Sequence, residues 1–278
     1  MSWAQGFPNL AVPNPVAGAA VARSGGAPRG ARPVPGALDT PMQRAILILT
    51  GAGISADSGL ATFRDAGGLW EGRRPEEVAT PEAWSDDPAL VWRFYQLRRR
   101  AAAEASPNAA HLALAQLEQS CARAGVEFTL VSQNVDDLHQ RAGSTVLDMH
   151  GQLLRLACEG CGVRVEERES FDPEATLACP ECAHPALRPD VVWFGEVPYH
   201  LDRIESAIER CTWLVTIGTS GLVYPAAGIL GSARSGGART TVLSLDDPAN
   251  LDAADEFVSG RAVDTVPTLV ERIEAEWL

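Results

Sequence analysis

Four of the six cysteines form two C-x-x-C pairs, Cys158/Cys161 and Cys179/Cys182, with 17 residues between the pairs. Each pair can turn two thiolates toward one point. Four thiolates close a tetrahedral zinc site and leave no open position, so the metal would be structural. A second group, Gly51-Ala52-Gly53-Ile54-Ser55-Ala56, fits G-x-G-x-x-G/A behind an apolar run. Such a turn lets the backbone approach a pyrophosphate, or it is a plain turn between strand and helix. A third, Gln133-Asn134-Val135-Asp136, also follows an apolar run. Its amides and carboxylate can orient a ligand by hydrogen bonds. The same residues also read as a helix start, with Asn134 as cap and Asp136 and Asp137 in the first turn. His150, just before Gly151, has a side chain that titrates near neutrality and suits general base work, although a lone histidine is also a common structural residue. Tyr95 and Arg98 stand at i and i+3 on one helical stretch. Together they can hold a carboxylate, or belong to a solvated face with Arg99 and Arg100.

These residues need elements to position them. Ala45–Leu49, Phe128–Val131, Trp213–Ile217 and Thr241–Leu245 are short apolar runs that predict buried strands of a parallel sheet. Helices are predicted at Asp86–Ala105, from a Ser106-Pro107 start to about Arg123, at Tyr199–Arg210 and at Thr265–Trp277. The alternation predicts an α/β fold, a Rossmann-like parallel sheet domain over 41–278. The cysteine stretch, about 151–190, breaks the rhythm and reads as an inserted small zinc-ribbon module. A helical insertion is expected at about 64–110. After the glycine turn no second strand ends in an acid ~20 residues on, as a dehydrogenase requires. Gly59–Trp70 is instead glycine-rich, with an arginine and two aromatics. It reads as a mobile loop over a cofactor, with Arg64 as a phosphate or ribose contact and Phe63 as a cover.

Composition narrows the class. The 278 residues carry a net charge of −13, which argues against direct nucleic-acid binding. No apolar run approaches the ~18 residues of a membrane span. All 23 basic residues are arginine, so a Schiff-base or P-loop lysine is excluded. Residues 1–40 are rich in Pro, Gly and Ala and read as a disordered tail, or as a transit peptide. Isolated Cys121 and Cys211 and the metal-type pairs fit a reducing compartment, and we expect a cytoplasmic monomer.

Gly51-Ala-Gly-Ile-Ser55-Ala, Thr62-Phe63-Arg64, Gln133-Asn134-Val-Asp136-Asp-Leu-His139, His150-Gly151, the two cysteine pairs and Gly218-Thr219-Ser220 occur in this order. From about residue 44 onward the chain resembles the sirtuins, NAD-dependent protein lysine deacylases. Two positions depart from that pattern: Ala61 replaces a usual Pro, and Ser244 a usual Asn. The resemblance implies NAD bound through Gly51, Ala52, Gly53, Ser55, Phe63, Arg64, Gln133, Asn134, Asp136, Gly218, Thr219, Ser220, Ser244, Asp246 and the backbone of Ala262. It implies that Asn134 and His150 are catalytic: the acyl oxygen displaces nicotinamide, and His150 then deprotonates a ribose hydroxyl. Products are free lysine and O-acyl-ADP-ribose. Val192, Phe194, Gly195 and Glu196, opposite Gly221-Leu222, would receive an acyl-lysine protein or peptide. Tyr95 and Arg98 resemble the pair that admits succinyl and malonyl groups. His139 reads as helix packing, and His111, His184 and His200 are given no role. An NAD dehydrogenase, a protein ADP-ribosyltransferase and an inactive zinc-ribbon binding module are the alternatives.

Overall fold

The computed structural model describes residues 44–61 and 73–278, so the readings of the 1–40 tail, Phe63 and Arg64 lie outside the described residues. The first half runs β1 (Ala45–Thr50), α1 (Pro75–Val78), α2 (Pro81–Asp86), α3 (Pro88–Glu104), α4 (Ala109–Ala124), β2 (Glu127–Ser132), α5 (Leu138–Ala142) and β3 (Val146–Asp148). Then come β4 (Gly151–Ala157), β5 (Arg164–Glu166), β6 (Arg188–Val191), α6 (Leu201–Arg210), β7 (Trp213–Ile217), α7 (Ala226–Ser235), β8 (Arg239–Ser244), β9 (Glu256–Ser259) and α8 (Ala262–Trp277).

Every residue of β1 and of β7 is buried, which is why both read as unbroken apolar runs. The main sheet has the order β3-β2-β1-β7-β8-β9, with all pairs parallel. The chain fills one side of β1 with β2 and β3, then the other with β7 to β9. Strand order therefore reverses between β1 and β7, and the loops at their carboxyl ends diverge to open a crevice. α4 and α8 cover one face, packing on Ile46, Ile48, Leu130 and Val215. Leu47, Leu49, Val131 and Leu214 face the other side, where Ile204 of α6 and Leu230 of α7 close the core.

A separate core joins the helical insertion to the cysteine module. Val78, Val91, Trp92, Phe94 and Tyr95 pack with Leu153, Leu156, Leu187, Val191 and Trp193. The module's own sheet is antiparallel, β5-β4-β6. Arg99 ties the two together. Its buried guanidinium donates to the carbonyls of Leu153 (3.0 Å), Ser170 (3.0 Å) and Glu167 (2.6 Å). Burial lowers its pKa to about 10, still far above neutrality. The Arg98-Arg99-Arg100 run is thus no uniform solvated face: Arg98 is half-buried, Arg99 buried and Arg100 exposed.

Several predicted boundaries move, each for a local reason. The helix expected over Asp86–Ala105 is two helices. Pro88 starts the second, and the Asp87 carboxylate accepts from Leu90 N–H at 2.9 Å. The helix expected from Ser106-Pro107 starts at Ala109. Asn108 is its cap, accepting from Ala110 N–H at 3.0 Å. α6 starts two residues late because His200 adopts the left-handed φ of 62°. α8 starts a turn early, at Ala262.

Candidate functional site at the switch between β1 and β7

No long helix follows β1. The glycine turn leads into two short 3₁₀ turns, Ala52–Ile54 and Ala56–Ser58. The glycines serve a different contact. Gly51 N–H donates to Ile217 O and Gly53 N–H to Gly218 O, both at 2.9 Å. A Cβ on Gly53 would lie 2.7 Å from Gly218 Cα. Gly218, at φ +61°, would in turn strike Gly53. The loops after β1 and β7 therefore cross backbone on backbone, and that crossing floors the crevice.

Above it lies a connected polar cluster. Ser55 donates to Asp136 Oδ2 at 2.9 Å and accepts from Asn134 Nδ2 at 3.2 Å. Asn134 Nδ2 also reaches Gly51 O at 3.2 Å. Gln133 Nε2 donates to Thr219 Oγ1 at 3.1 Å, bridging the loops after β2 and β7. Asn134 does not cap a helix: α5 begins at Leu138, whose N–H is accepted by Asp136 Oδ1 at 3.1 Å. Burial pushes the Asp136 carboxyl up, against the lowering from the Leu138 and Ser55 hydrogen bonds.

His150 follows β3. Its Nδ1 lies 2.9 Å from Gln133 O. A carbonyl can only accept, so Nδ1 carries the proton and Nε2 keeps its lone pair. Burial lowers this imidazole's pKa, only partly offset by the Gln133 bond. The ring is therefore a neutral base at neutral pH, held in one tautomer by the loop that carries Asn134 and Asp136.

Two histidines enlarge the cluster. His111 Nε2 is 3.5 Å from Ser55 Oγ, and His139 Nε2 is 3.1 Å from Thr50 Oγ1. Their rings meet edge to face at 4.7 Å. His139 packs as a helix residue should, but His111, given no role from sequence, borders the crevice. The signal for it was weak: Asn108 and His111 stand three apart at a helix start, where position three faces back to the cap. Burial depresses His111 to about 4 and His139 to about 3, with His111 adding to the shift at His139. Neither ring should titrate between pH 5 and 8, whereas an unperturbed imidazole titrates near 6.5. NMR titration of the imidazole signals checks this, and a midpoint near 6.5 for either would disprove it.

The four cysteine sulfurs lie within 4.8 Å of one another. Cys158 and Cys182 sulfurs are 3.6 Å apart, and Cys161 and Cys179 sulfurs 3.7 Å. Thiolates at ~2.3 Å from a tetrahedral Zn²⁺ sit ~3.8 Å apart. A disulfide would need ~2.05 Å. The donor set and its spacing therefore fit zinc.

The remaining predicted residues lie around this centre. Ser220 and Ser244 accept backbone N–H groups, from Ala249 at 3.0 Å and Gly260 at 3.1 Å through their carbonyls. Asp246 is exposed beyond β8, and the Ala262 methyl is in the main core. Val192 N–H donates to His150 O at 2.9 Å. Val191–Glu196 does not continue as a strand: β6 ends at Val191, and Gly195 (φ 92°) turns the chain. Phe194 and Leu222 stay exposed across this edge. Glu196 is held by Arg188, at 2.7 and 2.9 Å, and accepts from Trp193 N–H at 2.7 Å. Its carboxylate clasps the loop. Tyr95 is buried, its oxygen accepting from Trp193 Nε1 at 2.9 Å. The solvated-face alternative for Tyr95 fails.

Known proteins carry the same arrangement. The Sir2 family profile matches residues 51–225. An NAD-dependent protein deacylase of Caulobacter vibrioides is 47% identical over 232 residues, covering 83% of this chain and 97% of that protein. A Sir2 homolog solved with NAD superposes with a TM-score of 0.75 at 37% identity, over 83% of this chain and 90% of the other. A Sir2 protein bound to an acetylated peptide superposes with a TM-score of 0.68 at 26% identity, over 84% and 93%. With its reversed strand order, crossed glycine loops and four-cysteine module in matching places along nearly the whole length of such relatives, this chain belongs to the Sir2 family.

Proposed function

We propose that the chain is an NAD-dependent protein lysine deacylase that removes acetyl groups and also acidic acyl groups such as succinyl and malonyl. The name of the Caulobacter relative supports the activity, and the NAD-bound and acetyl-peptide-bound neighbours support the two substrates. The observation that carries it here is the His150–Gln133 bond, which leaves a neutral Nε2 beside an amide, hydroxyl and carboxylate cluster.

That donor set fits NAD. Gln133, Asn134, Ser55 and Thr219 offer amides and hydroxyls suited to a ribose diol, and Asp136 offers a carboxylate suited to a carboxamide N–H₂. When bound, NAD supplies an electrophilic ribose carbon with nicotinamide as its leaving group. Asn134 and Gln133 hold the ribose so that this carbon faces the acyl oxygen. Asp136 keeps the carboxamide oriented during departure. His150 then accepts a ribose hydroxyl proton at Nε2. Gly51, Ala52, Gly53, Gly218, Thr219 and Ser220 line the phosphate side, and Ser244, Asp246 and Ala262 the adenosine side. Val192, Phe194 and Gly195 receive the acyl-lysine, with Leu222 opposite. Zinc on the four cysteines is structural. Free thiols throughout support a cytoplasmic setting.

The dehydrogenase alternative finds no support. β2 follows β1 in the sheet but ends in Ser132, followed by Gln133 and Asn134 rather than a ribose-binding acid.

Mass spectrometry of acetyl- and succinyl-lysine peptides with NAD tests the reading. Expected products are free peptide, nicotinamide and the matching O-acyl-ADP-ribose in equal amounts. Nicotinamide release with ADP-ribose left on protein would make it a transferase instead. Arg98→Met should raise KM for the succinyl peptide about 10²–10³-fold, because a buried carboxylate loses its charge partner. Acetyl-peptide kinetics should change little, since a methyl never used that partner. An equal loss on both peptides would make Arg98 structural.

A further inference from the structure

We propose that Trp193 is a positioning residue for acyl specificity: its indole N–H occupies an acceptor site of the Tyr95 hydroxyl and so turns the phenol's proton toward the acyl group. The proposal rests on the reading of Tyr95 and Arg98 as the acidic-acyl pair.

The geometry leaves the polarity of this bond in no doubt. Trp193 Nε1 lies 2.9 Å from Tyr95 Oη, both groups buried. An indole N–H only donates, so the phenol oxygen accepts there and its single proton must point elsewhere. Burial pushes the Tyr95 pKa up to about 12, so the phenol remains a neutral donor at working pH. Such a donor suits a carboxylate and gives nothing to a methyl.

The indole itself cannot swing away. Trp193 N–H donates to Glu196 Oε2 at 2.7 Å. The Arg188 guanidinium lies 3.5 Å above the indole ring while gripping Glu196 with two nitrogens. Arg188 also donates to Val191 O at 2.9 Å. The Trp84 ring packs from another side, with centroids 5.9 Å apart. One residue earlier, Val192 N–H is bonded to His150 O. The Val192–Trp193 dipeptide thus joins the base to the tyrosine, and the Arg188–Glu196 clasp holds that dipeptide.

Paired kinetics on acetyl- and succinyl-lysine peptides test this with Trp193→Phe, Tyr95→Phe and the double variant. Trp193→Phe keeps a ring and loses the donor. It should raise KM for the succinyl peptide about three- to tenfold, the worth of one neutral hydrogen bond. Its kcat, and both constants on the acetyl peptide, should stay within about twofold of wild type. In the Tyr95→Phe background the same change should have no further effect, because the hydroxyl through which it acts is gone. Equal losses on both peptides, or additive effects in the double variant, overturn the role of Trp193 while the acidic-acyl reading stands. No succinyl activity in wild type overturns that reading and this proposal together. Should Trp193→Phe not fold, ¹⁵N spectra of wild type suffice. The indole signal displaced in Tyr95→Phe is that of Trp193, and it should shift with succinyl-lysine peptide more than with acetyl-lysine peptide. A signal equally indifferent to both overturns the proposal.

Discussion

His150→Ala is expected to lose deacylation of acetyl and succinyl peptides alike, by about 10²–10⁴-fold in kcat, while keeping its fold. The imidazole is half-buried, and its recorded hydrogen bond runs to a backbone carbonyl, Gln133 O. Losing that bond costs only about 1 kcal/mol of stability. The catalytic loss is larger because the base is already in its working tautomer and neutral form. The same facts set the pH profile. Burial lowers the folded pKa below 6.5, so the proton-accepting form persists as pH falls through 6.5. The acid limb of kcat should therefore lie below 6.5, with activity lost only as pH drops through the lowered value. Steady-state turnover and a melting curve on the same sample decide the matter. A variant working within a few-fold of wild type would remove His150 from the mechanism, and a collapsed melting curve would show that its role is structural.

Cys179→Ser, or chelation of the metal, should cost the module its fold. One zinc per chain is expected by metal analysis. Binding at a four-thiolate site is worth about 10–16 kcal/mol in small zinc domains, more than the entire stability of many domains. The damage should spread along the shared core. Cys158 and Cys179 are themselves buried in it, beside Leu156 and Leu187 and with Val91, Trp92 and Tyr95 of α3. Each such aliphatic or aromatic side chain contributes about 1.5–3 kcal/mol when buried. Hydrogen exchange should therefore rise in α3 as well as in β4 to β6. It should rise less in β1 and β7, whose partners are the α4/α8 and α6/α7 layers. Absence of zinc from the purified protein, or full stability of Cys179→Ser, would refute a structural metal.

The parts of this molecule that could be read in advance are those whose chemistry is local. Paired cysteines two apart face one point whatever surrounds them. An unbroken run such as Trp213–Ile217 is apolar because both faces of a central parallel strand are covered, and it appears with those bounds. The glycine turn, the Gln133–Asp136 cluster and His150 were visible for the same reason: their residue types are uncommon in that order outside a site. Other features depend on partners far along the chain. Trp193 meets Tyr95 across 98 residues, and His111 meets Ser55 across 56. Arg99 sits between arginines of two other exposures. The glycines of the first turn looked like an anion cradle, but Gly218 packs against Gly53 and two of their N–H groups serve the loop crossing. A side chain's identity states which bonds it can make. Which of them it does make depends on what packing brings within 3 Å. Here two cores, one under the sheet and one between α3 and the zinc module, make that choice for Tyr95, His111 and Arg99.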